Sequence, residues 1–179
     1  MRRIAIVGAG GAGKTVLANQ LAGLLGLPVT HLDALRYDED WKVVPEAAFV
    51  AAQHAVVAND RWIIEGNSAA SMPVRFAAAD TIIFLDLPPL VCLWGILRRR
   101  LRYRGGRHAD GVHDRINVAF LRWVVGFRRR RAPAVRACIA EHGAHAVLIE
   151  LNSRRQVNRL IARLGGPMPR EVGGDAGDG

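Results

Sequence analysis

Short apolar runs alternate along the chain with longer stretches in which apolar residues recur every three or four positions, and glycine, proline or aspartate punctuates most boundaries. Ile4-Ala5-Ile6-Val7 ends at a glycine and has the unbroken apolar character of a strand buried on both faces. Val16 to Leu25 has helical spacing and stops at Gly26 and Pro28. Val29 to Leu32 predicts a second strand ending at Asp33, and Pro45 to Ala58 a helix with proline in its first turn. Trp62-Ile63-Ile64 predicts a third strand, ending at Glu65-Gly66-Asn67, and Thr81 to Leu85 a fourth, ending at Asp86. Helices are expected from Pro89 to about Arg102, over Ile116 to Phe127 and over Pro133 to Glu141, with a glycine- and arginine-rich stretch, Arg104 to Asp114, after the first. Ala146 to Ile149 predicts a fifth strand and Arg154 to Leu164 a closing helix. From Gly165 onward Gly, Pro and Asp dominate without periodicity, which predicts a disordered tail over 165–179.

Strands alternating with helices imply an α/β fold with a parallel sheet and right-handed crossovers. No repeat or linker divides residues 1–164, so a single domain is expected there, large enough to bury a real core. Open parallel sheets bind ligands at the carboxyl ends of their strands. Asp33, Glu65 and the glycine-rich segment after the first strand all fall at such ends.

That segment, Gly8-Ala9-Gly10-Gly11-Ala12-Gly13-Lys14-Thr15, satisfies G-x-x-x-x-G-K-[ST]. Its glycines let the backbone curl so that successive N–H groups face a phosphate, and the following helix adds its positive end. Lys14 would reach the β- and γ-phosphates and Thr15 would offer its hydroxyl to Mg²⁺. Gly8, Gly10 and Gly13 also fit the dinucleotide pattern G-x-G-x-x-G, with Asp33 about 20 residues on, where a ribose would be held. The Lys-Thr pair favours the phosphate loop, because a dinucleotide-binding helix has no need of lysine directly after the third glycine.

Composition narrows the partners. Of 25 basic residues only Lys14 and Lys42 are lysine, and the formal charge is +9. Such a balance favours anionic partners, nucleotides or nucleic acid, although a compositional bias toward Arg, Ala and Gly accounts for surface arginines equally well. Cys92 and Cys138 belong to no CxxC or Cys/His pair, which argues against a disulfide framework or zinc finger and suits a reducing cytosol. Arg2-Arg3 before a short apolar run is no export signal, since Lys14 interrupts it, and the apolar stretch Thr81–Leu97 is broken by Asp86, Pro88 and Pro89. A cytoplasmic protein without a membrane partner is expected.

Among phosphate-loop proteins, an Asn-Lys-x-Asp base-reading motif is missing, and helicases, transporters and motors need a longer chain. Small kinases remain. His31-Leu32-Asp33-Ala34-Leu35, Trp62-Ile63-Ile64-Glu65-Gly66-Asn67 and Thr81-Ile82-Ile83-Phe84-Leu85-Asp86-Leu87-Pro88 resemble the adenylate-kinase-like proteins labelled topology modulation proteins. So do Gly106-Arg107 before Phe120-Leu121-Arg122-Trp123-Val124, and Leu151-Asn152-Ser153-Arg154. The resemblance covers most of residues 3 to 164. It implies a three-layer P-loop NTPase fold of the adenylate-kinase type, with a five-stranded parallel sheet in order 2-3-1-4-5, a helical arginine-rich lid over about 98–118, and binding of ATP with Mg²⁺. One departure is Glu65, where the family usually has Asp; the extra methylene moves the carboxylate by about a bond length.

The candidate residues follow. Lys14, Asp33, Arg98, Arg102 and Arg107 are the catalytic candidates, with Asp33 accepting the acceptor's proton and the arginines clamping phosphate oxygens. Thr15, Asp33 and Glu65 are candidates for holding Mg²⁺; Glu65 fits equally the ion-pair partner of a lid arginine. Asp33, Asn67 and Arg75 are candidate acceptor contacts. Asn152, Ser153 and Arg154 lie where the related kinases hold adenine, although Ser153 also suits the N-cap of the last helix. The bland alternatives are an N-cap for Asp33, a packed and hydrogen-bonded His31, solvated His108 and His113, and a solvated face for Arg128–Arg131. Trp41, Trp62, Trp94 and Trp123 read as core or pocket-wall residues. Kinase activity on a small molecule or nucleotide competes with an ATP-sensing regulatory or nucleic-acid-binding role, motivated by the arginine excess; no DNA-reading motif supports the second.

Overall fold

The computed structural model describes residues 1–36, 42–103 and 117–165. Five strands form one parallel sheet: β1 (Arg3–Gly8), β2 (Val29–His31), β3 (Trp62–Glu65), β4 (Thr81–Leu85) and β5 (Val147–Leu151). Their spatial order is β2-β3-β1-β4-β5, the order the resemblance implied. Ile6 lies beside Glu65, the last residue of β3, on one side and Ile83 of β4 on the other, while β1 and β4 run on and end together at Gly8 and Leu85. Ile4, Ala5, Ile6 and Val7 are all fully buried, as their unbroken apolar run requires of a central strand with helices on both faces.

Helices cover the two faces: α1 (Lys14–Leu25), α2 (Leu32–Leu35), α3 (Glu46–Val57), α4 (Met72–Ala78), α5 (Pro89–Tyr103), α6 (Val118–Arg130), α7 (Ala132–His142) and α8 (Arg154–Arg163). Helix α1 ends at Gly26 in the left-handed conformation, whose N–H bonds the Ala22 carbonyl at 2.8 Å. Two elements differ from the pattern-based expectation. The second strand stops at His31 because the chain turns into the single helical turn of α2, burying Leu32, so Asp33 lies in a helix rather than at a strand tip. Helix α4 is too short for periodicity to reveal, and Pro73 occupies its first turn, where a missing N–H costs nothing.

The arginine run at the end of α6 also differs from a uniformly solvated face. Asp86, 3% exposed just after β4, accepts from Arg128 Nε at 3.0 Å and Nη2 at 3.2 Å, and from Arg136 Nη2 of α7 at 2.8 Å. Arg136 also pairs with Glu150 of β5 and lies 5.2 Å above the Phe84 ring. A buried carboxylate needs such donors, so Asp86 recruits one arginine from each of two helices. Arg129, Arg130 and Arg131 are exposed as expected. Trp62 is core and Trp123 packs between Phe120 and Phe127, but Trp94 is exposed, contrary to a core or pocket-wall position; Trp41 is outside the described residues. The proposed tail beyond Gly165 and lid residues 104–116 also lie outside them, together with His108 and His113.

Candidate phosphate-binding and active site

The loop between β1 and α1 sits at the carboxyl edge of the sheet, and its shape depends on what holds its carbonyls. A phosphate nest works only if the backbone N–H groups converge while the carbonyls point elsewhere. Here the carbonyls are occupied from behind. Asn67 pairs with Gly8 in both directions: its amide nitrogen donates to the Gly8 carbonyl, and its Oδ1 accepts from the Gly8 N–H at 3.2 Å. Arg154, at the start of α8, donates to the Ala12 carbonyl at 2.8 Å and the Gly11 carbonyl at 3.1 Å. The Ala9 carbonyl accepts from the Ala12 N–H at 3.2 Å.

Steric contacts add to these hydrogen bonds. A Cβ on Gly11, which has φ +76°, would lie 2.1 Å from the Cys92 carbonyl of α5. Conversely, a Cβ on Gly95 would lie 2.3 Å from the Gly11 carbonyl oxygen. Helix α5 therefore crosses the loop at backbone contact, and the crossing needs glycine on both sides. A Cβ on Gly10 would meet the Phe120 ring of α6 at 2.6 Å, and α6 is tied to the sheet through Arg128 and Asp86.

Facing the other way, Lys14 Nζ lies 3.2 Å from both the Gly8 and Ala9 carbonyls, folded over the mouth of its own loop. Thr15 Oγ1 donates to Glu65 Oε1 at 3.0 Å, and His31 Nδ1 lies 2.8 Å from the same oxygen. Since an ionised carboxylate only accepts, His31 must carry its proton on Nδ1. Burial pushes the Glu65 carboxyl up, but the His31 hydrogen bond, the Lys14 and His31 charges and the Thr15 hydroxyl together hold it below its ordinary 4.5. Asp33 is exposed at the cleft mouth, so the crowding that nudges its carboxyl above the ordinary range, opposed chiefly by Lys14, carries little energy.

The residues Lys14, Thr15, Asp33 and Glu65 thus share one electrostatic environment. Among the described residues no lid arginine is seen bonded to Glu65; His31 and Thr15 fill that place. Arg98 is exposed on α5, the Arg102 side chain is outside the described residues, and Arg107 is wholly outside them. Arg75 departs from an acceptor contact: it is 0% exposed and its guanidinium donates to the Gly66 carbonyl at 3.2 Å and the Ser68 carbonyl at 3.5 Å. Burial lowers its pKa to about 10, with Glu65 acting in the opposite direction. In this conformation it braces the turn after β3 and does not face the cleft. Asn67 is likewise engaged by Gly8. Ser153 caps α8, accepting from the Gln156 N–H at 3.3 Å, while Asn152 is exposed beside it. Arg154 is exposed and bonded to the loop carbonyls of Gly11 and Ala12.

Oxygen donors at Thr15, Glu65 and Asp33 have the hard character that Mg²⁺ requires. Among the described residues no three carboxylate, histidine or cysteine side chains form a metal cluster. Sequence reading did not assign Gly95, Asp86 or Arg128. A lone glycine inside a helical run was the available signal for the first. The others depend on a pairing between residues 42 apart in sequence, which no local pattern carries.

No family model and no curated protein matches the chain. Solved structures do. A shikimate kinase from Acinetobacter baumannii in complex with shikimate is similar at TM-score 0.54 and 16% identity, covering 92% of this chain and 90% of that one. A shikimate kinase from Bacteroides thetaiotaomicron is similar at TM-score 0.50 and 23% identity, covering 91% and 95%. At these identities the likeness is one of fold alone, the three-layer α/β P-loop NTPase fold with strand order 2-3-1-4-5.

Gly95→Ala should destabilise the chain, because its methyl group meets the backbone of Gly11, whereas Gly23→Ala, with open space around it, should stabilise by about 0.5–1 kcal/mol. Urea unfolding of the two variants distinguishes them. The depressed Glu65 pKa adds stability that is complete above pH 4.5, its unfolded value, and is lost as pH falls through the lower folded value. Urea midpoints of Glu65→Gln should accordingly lack that acid-side decline.

Proposed function

We propose that the chain is an ATP-dependent phosphotransferase acting on a small-molecule or nucleotide acceptor. The observation that carries this reading is the loop with its carbonyls tied back by Asn67 and Arg154, opening beside Lys14, Thr15, Asp33 and Glu65. A loop built only to bind phosphate has no use for two carboxylates at its mouth. In this reading the α1 N-terminus and loop amides bind the β- and γ-phosphates, and Lys14 swings from the Gly8 and Ala9 carbonyls to neutralise their oxygens. Thr15 and Glu65 would hold Mg²⁺, which would supply further positive charge against the phosphate oxygens.

Asp33, exposed at the mouth, accepts the proton from the acceptor oxygen as that oxygen bonds to the γ-phosphorus; the bond to the bridging oxygen breaks and ADP leaves. His31 holds Glu65 ionised and fixed in direction. Arg98, Arg102 and Arg107 supply the cationic side of the closing lid. The fold shared with the shikimate kinases supports a small-molecule acceptor, and the sequence resemblance to topology modulation proteins supports ATP as donor. An ATP-sensing protein that binds nucleic acid is the second reading. It draws on the exposed Arg122, Arg129, Arg130 and Arg131, but loses Arg128 and Arg136 to Asp86.

Calorimetric titration with ATP–Mg²⁺ should show binding to the wild type and at least a tenfold loss, about 1.4 kcal/mol, in Lys14→Ala. An ATP-consumption screen across nucleosides, nucleoside monophosphates and small alcohols should then give turnover that Asp33→Asn abolishes. Equal ATP affinity in wild type and Lys14→Ala would refute the reading, and tight salt-sensitive binding of duplex DNA without turnover would favour the second.

A further inference from the structure

Helix α5 has two faces with different tasks. One carries Cys92, Gly95 and Ile96 against the phosphate loop and core. The other carries Leu90, Trp94, Leu97 and Leu101, which are 79%, 62%, 47% and 68% exposed. Their 4-3-4 spacing places them on a single stripe about 60° wide and roughly 16 Å long. Isolated exposed leucines are ordinary, but four large apolar side chains in one row are not. A stripe this narrow has the form of a seam between two helices, rather than the broad apolar face with which a helix lies on a lipid surface.

We propose that this seam pairs with the same seam of a second copy of the chain, the two α5 helices running antiparallel. Three features of the helix select that occupant. The 4-3-4 spacing reads identically in both directions, so antiparallel pairing about a two-fold axis sets Leu90 beside the partner's Leu101 and Trp94 beside the partner's Leu97. Charge on α5 is segregated: Pro89 to Leu97 includes no ionisable side chain except the buried Cys92, and the arginines begin at Arg98. Antiparallel pairing therefore lays Arg98 and Arg100 along the partner's uncharged half, where their stems cover apolar surface and Trp94 offers a cation–π face. Parallel pairing would set arginine against arginine.

The third feature is size. Specific interfaces bury at least about 1,000 Å² in total, and a seam of one helix from each copy is small by that measure. The pair is thus a reversible dimer at the weak end of the range. Because the opposite face of the same helix touches Gly11, pairing also stiffens the wall behind the phosphate loop. Dimerisation does not depend on the proposed phosphotransfer.

Sedimentation equilibrium of the wild type should give a mass that rises with concentration from monomer toward twice that value. Trp94→Glu and Leu101→Glu should stay monomeric, with thermal midpoints equal to that of dilute, monomeric wild type, since both side chains are exposed in the single chain. Mixing Leu90→Cys with Leu101→Cys, each in a Cys138→Ser background, should give an oxidised heterodimer and little of either homodimer. A wild type that stays monomeric at every soluble concentration overturns the proposal. So do Glu variants that dimerise as well as wild type, crosslinking only between like variants, or binding of phosphatidylglycerol vesicles by a chain that never dimerises.

Discussion

The structure depends on turning the backbone of one loop inside out. For the amides of Gly10, Gly11, Gly13, Lys14 and Thr15 to converge on a phosphate, the loop carbonyls must find partners of their own elsewhere. Asn67 from the end of β3, Arg154 from the start of α8, and the helix backbone around Cys92 and Gly95 provide that backing. Each comes from a different part of the chain, so the loop is shaped only when β1, β3, α5 and α8 are all in place. The loop is a product of the tertiary fold rather than a local motif that happens to be attached to it. A preorganised nest of this kind avoids the cost of ordering backbone when ligand arrives.

A second cluster propagates that order. Asp86 binds α6 and α7 to the end of β4 through Arg128 and Arg136, and Phe120 of the same α6 closes over Gly10. Hydrogen bonds between a buried carboxylate and guanidinium groups are each worth about 1.5–3 kcal/mol, so this cluster is a substantial part of what fixes α6 against the sheet.

Much of this was legible in the sequence where the signal is local. The buried runs of β1 and β4 have one physical meaning, and the Gly-Lys-Thr sequence after β1 leaves little freedom about what the loop does. The turn of the chain at Leu32 was not legible, because burial of that side chain under Gly66 depends on the neighbouring strand. Arg75 and Asn67 illustrate a different difficulty. Polar residues near a cleft read as ligand contacts, yet Arg75 donates to carbonyls of the turn after β3 and Asn67 to the Gly8 carbonyl at the end of β1. The Arg128–Arg131 run concealed a similar division, with one member turned inward to Asp86 and three left in solvent.

The central claim, a backbone nest held open for nucleotide phosphates, is tested most directly by amide chemical shifts during titration with ATP–Mg²⁺. The account predicts that the amides of Gly10, Gly11, Gly13, Lys14 and Thr15 shift together and at the lowest nucleotide concentrations. Unmoved loop amides, with shifts confined to the exposed arginine faces of α6 and α8, would contradict it.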